Sequence, residues 1–149
     1  MNRKDLLMLA HLRKDGRMQL TEMSRRTGIP VSTLFDRLRS NDLITRHTCL
    51  LDFTKLGFNT RVNITIKVKR EDKQALKDFL LHHPAVNMLF RINNGFDFMV
   101  EGIFQSVNSA EEFIDILDQK FAIEDKKTFF VIEDIKREGF MSDPMMIAN

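Results

Sequence analysis

The sequence predicts an α+β fold in which a winged helix-turn-helix precedes a ferredoxin-like βαββαβ domain. In the first fifty residues, apolar side chains recur every three or four positions, which indicates short helices. From Val62 to Val68 apolar and polar residues alternate, which indicates a strand with one buried face. Strand and helix patterns then follow in the βαββαβ order. We therefore expect domains over 1–50 and 61–140, a connector over 51–60 and a tail over 141–149.

Three helices and a wing are expected in the first domain. The first helix covers about 4–15, and the second starts near Gln19 and stops at Gly28, since glycine adopts the left-handed conformation that ends helices. Pro30 fits just before the first turn of a third helix, where its missing N–H does no harm. The β-like residues 43–50 are expected to form a small wing.

The third expected helix has one apolar side and one polar side. The apolar side has the i, i+3, i+4, i+7 spacing of a stripe that packs on a core: Val31, Leu34, Phe35 and Leu38. The other side offers the short polar and basic groups that suit a DNA major groove. We assign base contacts to Ser32, Thr33 and Arg37, with Asp36 either accepting from cytosine or orienting an arginine. Phosphate contacts are assigned to the flanking side chains Arg25, Arg26, Arg39, Arg46 and His47.

The second domain shows two helices and four strands. The patterns predict strands over 62–68, 86–92, 96–104 and 127–135, and helices over 71–81 and from a capping box at 109–112. Asn93-Asn94-Gly95 is typical of a tight turn between the central strands.

Charge is divided unevenly along the chain, although the total is only +2. Residues 1–50 hold ten Lys or Arg against five Asp or Glu, a surplus of +5, and the remainder has a balance of −3. This division favours a polyanion-binding surface in the first domain. Ordinary solvated surface charge is the alternative reading.

Composition favours a cytoplasmic protein that is not an enzyme. The single cysteine, Cys49, fits a reducing compartment, and neither a membrane-spanning apolar run nor a signal-peptide layout is present. The four histidines have no metal-ligand spacing with Cys49, and no Gly-rich phosphate loop exists. We therefore expect no catalytic residues, no metal and no cofactor.

The strands carry apolar residues on the face that the helices should leave open. Leu89, Met99, Phe129 and Val131 have the parity of that face. We expect them to be buried against a second copy of the chain, giving a homodimer. The alternatives are that they face the first domain or are isolated exposed residues.

The whole chain resembles the Lrp/AsnC, or feast/famine, family of transcription regulators, archaeal ones especially. The resemblance is carried by the helix-turn-helix, the connector LDFTKLGF, the turn Asn94-Gly95-Phe96-Asp97 and Thr128 before the last strand. It implies a RAM-type C-terminal domain that dimerises and often assembles into tetramers or octamers. It also implies binding to pseudo-palindromic promoter sites, tuned in many members by an amino acid.

For such an effector, the polar groups nearest the central hairpin are Asn93, Asn94, Gly95 and Asp97. Backbone N–H groups around Gly95 would take a carboxylate, and Asp97 would take an ammonium. The alternative is that these residues serve only the turn.

Two other nucleic-acid functions remain open. A DNA-architectural protein with little sequence preference is the main alternative to a specific regulator. RNA binding is the weaker one: Gly95-Phe96-Asp97-Phe98 occupies the strand position of an RNA-binding signature, but Asp97 places an acid there.

Overall fold

The computed structural model describes residues 2–40 and 42–148. It divides into an N-terminal unit, residues 1–50 with 135–149, and a sheet unit, residues 51–134. The helices are α1 (Arg3–Lys14), α2 (Leu20–Thr27), α3 (Val31–Arg39), α4 (Lys73–His82), α5 (Val107–Lys120) and α6 (Pro144–Ala148). The strands are β1 (Thr60–Val68), β2 (Val86–Arg91), β3 (Phe98–Phe104) and β4 (Ile123–Phe130).

The N-terminal unit packs three helices around a small apolar core. That core consists of Met8, Met23, Ile29 and Leu34, all almost completely buried. The Asn2 side chain caps α1 by accepting from the Lys4 amide at 3.1 Å. Gly28 ends α2 in the left-handed conformation, with φ 68°, as its sequence position predicted.

The apolar stripe on α3 is narrower than expected. Leu34 is buried and Leu38 partly buried, but Val31 and Phe35 lie at the margins of the stripe and are exposed. The expectation that all four pack on the core was therefore wrong for two of them. A single narrow row of contacts holds this helix to the core.

The wing expected over 43–50 is not a strand. All residues of 42–50 are described, and none belongs to a β ladder. Leu43 and Leu50 are more than half exposed. A strand needs a hydrogen-bonded neighbour, and the four strands of the sheet supply none to this segment.

The C-terminal segment belongs to the N-terminal unit rather than forming a separate tail. Helix α6 packs against α1. The Arg13 side chain of α1 donates to the Phe140 carbonyl at 2.7 Å and to Glu138 Oε2 at 2.9 Å. The expected boundary at 140 therefore differs from the observed one at 134–135, because these contacts, rather than the strand pattern, decide where the segment packs.

The sheet unit is one antiparallel sheet with the order β2-β3-β1-β4. Alternate residues of β1 and β3 are buried. For β1 this confirms the burial pattern that the alternation of apolar and polar residues predicted. The buried strand residues share one core with α4 and α5, which therefore cover the same face of the sheet; its buried helix residues are Leu76, Leu80, Ala110, Phe113, Ile114 and Leu117. We call the opposite side the second face.

Two element boundaries differ from the sequence expectation. Helix α5 is capped by Ser106, whose hydroxyl accepts from the Ser109 amide at 3.2 Å, so the capping box at 109–112 was wrong. Strand β4 begins at Ile123 and ends at Phe130, rather than covering 127–135. The charged run at its start still pairs with β1, although it lacks a strand-like apolar pattern.

A register irregularity in β2 reverses which side chains reach the second face. The pairing with β3 shifts between Val86 and Met88, and Leu89 then lies opposite Val100. Leu89 packs against the helix-covered core, so its assignment to the open face was wrong. Met88 and Phe90 occupy the second face instead, because one extra residue inverts the parity.

No helix among the described residues is long and apolar enough to cross a membrane.

Replacing Arg13 by alanine should loosen the C-terminal segment, because two carbonyl or carboxylate partners lose their donor. We expect a loss of about 1 kcal/mol, since both side chains of the ion pair are partly exposed. Hydrogen exchange should accelerate over 138–147 and stay unchanged in β1. Arg17→Ala is the matched control; equal acceleration in that variant would contradict the role assigned to Arg13.

Candidate nucleic-acid interface

The exposed side of α3 presents four side chains at i, i+3, i+4 and i+7. These side chains are all exposed: Ser32, Phe35, Asp36 and Arg39. Phe35 is 54% exposed. Among the residues that the structure describes, Arg39 has no ion-pair partner. The buried Leu34 lies on the opposite side of the helix, so this row points away from the core.

Arg37 is not on that open row. Its guanidinium forms an ion pair with Asp5 at the start of α1, and its side chain is only 28% exposed. Asp5 also accepts from the Asn2 amide at 3.3 Å, so one carboxylate serves both the cap of α1 and its link to α3. This placement does not agree with Arg37 as a free base-reading side chain. Thr33 is likewise only partly exposed.

Sequence reasoning missed Phe35 as an exposed residue of this interface. The i, i+3, i+4, i+7 rule included it in the packed stripe, but a helix with a narrow core contact leaves the margins of such a stripe exposed. The sequence did contain a signal of this exposure: Phe35 lies one helical turn before the charged Arg39 and therefore on the same side of α3.

The basic side chains of α2 share one acidic partner. Glu22 forms ion pairs with Arg25 and, at 2.6 Å, with Arg26 Nε. Arg25 remains largely exposed. Arg46 and His47 are exposed on the segment after α3. The expected phosphate-contacting residues are therefore accessible, although two of them are partly neutralised by Glu22.

An open groove of about 360 Å³ lies along the start of α2. Its lining is almost entirely polar or charged: Asp15, Arg17, Met18, Gln19, Thr21, Glu22, Arg25 and Arg26. Gln19, the N-cap residue of α2, makes no side-chain cap hydrogen bond.

His11 is a buried titratable group in the N-terminal unit. Burial lowers the pKa of its imidazole, and the nearby charges of Arg26 and Lys14 lower it further. Its Nδ1 has no hydrogen-bond partner among the described residues. A proton on Nδ1 would therefore meet two nearby cations and no acceptor among the described residues.

The central hairpin is held by Asp97. Both turn residues Asn94 and Gly95 have positive φ, as tight hairpin turns require. The Asp97 carboxylate accepts from the Val68 amide at 3.0 Å and pairs with Lys73 Nζ at 2.5 Å. Partial burial acts to raise the pKa of this carboxyl, but the hydrogen bonds from Lys73 and Val68 prevail and the pKa is lowered.

The second face combines apolar residues with a partly buried charged network. Met88, Phe90, Met99 and Phe129 lie on it, and Val131 continues the same parity beyond β4. In the network, Arg61 forms ion pairs with Asp134 and, at 3.7 Å, with Glu101. The hydrogen bonds that Arg61 donates to the Asp134 carboxylate raise the pKa of Arg61, although partial burial acts to lower it.

The described residues contain no group of three potential metal-ligating side chains.

Two family models match the chain. Residues 61–140 match the Lrp/AsnC ligand binding domain, and residues 1–40 match a winged helix-turn-helix DNA-binding domain. The transcriptional regulator FL11 of Pyrococcus furiosus is 26% identical over 132 residues, which are 87% of each chain. LrpC of Bacillus subtilis is 26% identical over 113 residues, which are 74% of this chain and 78% of LrpC.

Solved structures have the same fold. The regulator NMB0573 of Neisseria meningitidis, in complex with L-Met, has a TM-score of 0.85 at 20% identity and covers 92% of this chain and 93% of its own. The B. subtilis LrpC structure has a TM-score of 0.82 at 23% identity, covering 91% and 97%. At these identities the agreement concerns the fold.

Protonation of His11 should make the N-terminal unit less stable in mild acid. Because its pKa is lower in the folded than in the unfolded chain, the unfolded state takes up the proton first as the pH falls. The stabilisation is present above the unfolded value of about 6.5 and is lost as the pH falls below it. Melting curves from pH 8 to 5 should show this loss in the wild type and less of it in His11→Gln. The exposed-site control His47→Gln should follow the wild type; a His11→Gln curve identical to the wild type would contradict the assignment.

Proposed function

The chain belongs to the Lrp/AsnC family of transcriptional regulators, and we propose that α3 is the helix by which it reads double-stranded DNA. The observation that carries this proposal is the open row on α3, whose four side chains lie opposite the single buried contact of Leu34. A helix held on one side and polar on the other can enter a major groove without losing core contacts.

Each side chain of the row has a matching group on a base edge. Arg39 can donate two hydrogen bonds to guanine O6 and N7, and Asp36 can accept from cytosine N4. Phe35 can contact a thymine methyl group, and Ser32 can donate or accept. We therefore move the main reading role from Arg37 to Arg39.

Arg37 and the other basic residues would position the helix. The Asp5 ion pair holds Arg37 toward α1, so Arg37 acts on DNA through the placement of α3. Arg25, Arg26, Arg46 and His47 would contact phosphates. For Arg25 and Arg26 a phosphate would compete with Glu22, which raises the cost of those contacts.

A homodimer packed through the second face would have two copies of α3, each able to contact DNA. Exposed apolar groups on that face, including Phe90 and Phe129, support burial against an identical surface. Two-fold symmetry then predicts a pseudo-palindromic site with half-sites about one helical turn, roughly 34 Å, or a multiple apart. In a cell without a nucleus, a DNA-binding role would place the protein in the cytoplasm.

An operator selected from random DNA would test the reading role. Arg39→Ala should lose about 1–3 kcal/mol on that operator and relax the preference at one base, with little loss on random DNA. Arg26→Ala, the phosphate-contact control, should weaken binding to both DNAs equally and reduce the salt slope by about one. Both variants are measured by fluorescence anisotropy over a salt series.

Equal loss of operator and random-DNA binding in Arg39→Ala would assign Arg39 to a phosphate instead. A low ratio of operator to random affinity in the wild type, with a steep salt slope, would favour the DNA-architectural alternative.

We further propose that the hairpin at Asn93, Asn94 and Gly95 takes an amino acid effector. The fold that this chain shares with the L-Met complex of NMB0573 supports a ligand role for the sheet unit. The backbone amides around the two positive-φ residues would bind the carboxylate. Asp97 would shape the hairpin rather than bind the ammonium, because Lys73 and Val68 already engage its carboxylate.

Calorimetry with the common amino acids should show heat with at least one of them. Asp97→Asn should abolish that heat and also lower stability by about 1–3 kcal/mol, because the Lys73 pair and a charge-assisted hydrogen bond are lost. Asp125→Asn, an exposed β4 control, should change neither quantity. Absence of heat with every amino acid would contradict the effector proposal, and loss of heat with unchanged stability would return Asp97 to direct ligand binding.

A further inference from the structure

The outer edge of β4 is open, and we propose that it pairs with the same edge of a second copy of this chain, antiparallel and centred on Phe130. β4 is terminal in the strand order, and no described strand lies against its outer side. An uncovered edge presents N–H and C=O groups to another strand. This contact is distinct from the second face and does not rest on the proposed DNA reading.

The outward-pointing backbone groups belong to the even-numbered residues. The Val131 amide donates to the Arg61 carbonyl at 2.9 Å, so the ladder with β1 uses the groups of the odd-numbered residues here. Thr128, Phe130 and Ile132 therefore direct their N–H and C=O groups away from the sheet. Pairing these three residues with their counterparts would form about six backbone hydrogen bonds.

The last two residues of β4 and the two that follow it form a run of four apolar residues, 129–132. Ile132 is 93% exposed, and Phe129 is 53% exposed. Proteins usually protect edge strands with charges or proline, yet here the charges stand only at the two ends of the run, with Lys126 and Lys127 before it and Glu133 and Asp134 after it. Apolar side chains beside free backbone groups indicate a surface that another chain covers.

One register makes this edge complementary to itself. With Phe130 opposite Phe130 of the second copy, and with the residues that follow β4 continuing the pairing, Lys127 lies opposite Glu133. Lys126 has the register position opposite Asp134 but does not meet it, because Lys126 points to α5 and Asp134 to Arg61 on the second face. A two-fold axis perpendicular to the sheet requires residues of equal parity to face each other, and every pair in this register satisfies that condition. The β4 edge is therefore complementary to the β4 edge of a second copy of the chain.

Neighbouring registers lose this complementarity. A shift by two residues in one direction places Asp125 opposite Glu133 and Glu124 opposite Asp134, two repulsive pairs. The opposite shift places the Phe129 ring against Glu133. The charges therefore select the register centred on Phe130.

Lys127 and Glu133 carry the electrostatic part of the proposal. In the described part of the chain neither has an ion-pair partner, and Lys127 Nζ lies 5.4 Å from the centroid of the Phe96 ring. Lys126 and Asp134 are already engaged, with Asp118 and Arg61 respectively. Pairing two copies would thus give an ion pair to two side chains that form none with the described residues of their own copy.

Disulfide trapping tests the register directly, in a Cys49→Ser background that removes the native thiol. Only a residue on the two-fold axis meets its own copy, at a Cα separation of about 5.5 Å, which suits a disulfide. Phe130→Cys should form covalent dimers on oxidation at micromolar concentration. Ile132→Cys, which is more exposed but lies opposite Thr128, is the matched control and should cross-link at most about one-tenth as fast.

Equal cross-linking of the two variants would overturn the proposal, since random collision would explain it. Preferential cross-linking of Phe129→Cys would also overturn it, by placing the contact on the second face. Unchanged circular dichroism of each variant establishes that the fold is intact.

A charge exchange provides an independent measurement on the full chain. Lys127→Glu and Glu133→Lys should each weaken self-association about tenfold in sedimentation equilibrium, because like charges then face each other twice across the axis. The double variant should restore the association constant to within about twofold. A double variant as weak as the single variants would overturn the edge pairing, whatever its effect on DNA binding.

Discussion

Both helices of the sheet unit pack on the same side of a four-stranded antiparallel sheet, and this constraint governs the rest of the molecule. One face is filled by Val62, Ile64 and their neighbours, whereas the sheet unit itself provides no helix for the other face. Apolar side chains such as Phe90 and a partly buried Arg61 network consequently coexist on that face. In the proposed homodimer, a second copy covers this face, and the two-fold symmetry provides two copies of the helix proposed to contact DNA.

Features set by local chemistry could be predicted from the sequence, and features set by pairing could not. The alternation in β1 and the end of α2 at Gly28 depend on neighbouring residues, so both were correctly predicted. Leu89 was misplaced because the irregularity beside Val86 is a property of two strands together. The ion pair of Arg37 was not foreseen because its partner, Asp5, lies more than thirty residues away in the chain.

Helix α1 connects the parts of the N-terminal unit through charge as well as packing. At one end Asp5 holds Arg37 of α3, and at the other Arg13 holds the segment around Glu138. The core between them is small, so each polar link restrains a larger share of the unit than it would in a large domain. His11 lies between these links, which is why a single proton there bears on the whole unit.

The discontinuity of the N-terminal unit has a consequence for biosynthesis. Arg13 leaves the ribosome before the sheet unit, whereas its partners Glu138 and Phe140 leave after it. The intervening sheet unit emerges in full before the DNA-binding unit acquires its closing contacts. A nascent or prematurely terminated chain therefore lacks the finished unit, so assembly of the sheet precedes completion of the DNA-binding unit in time.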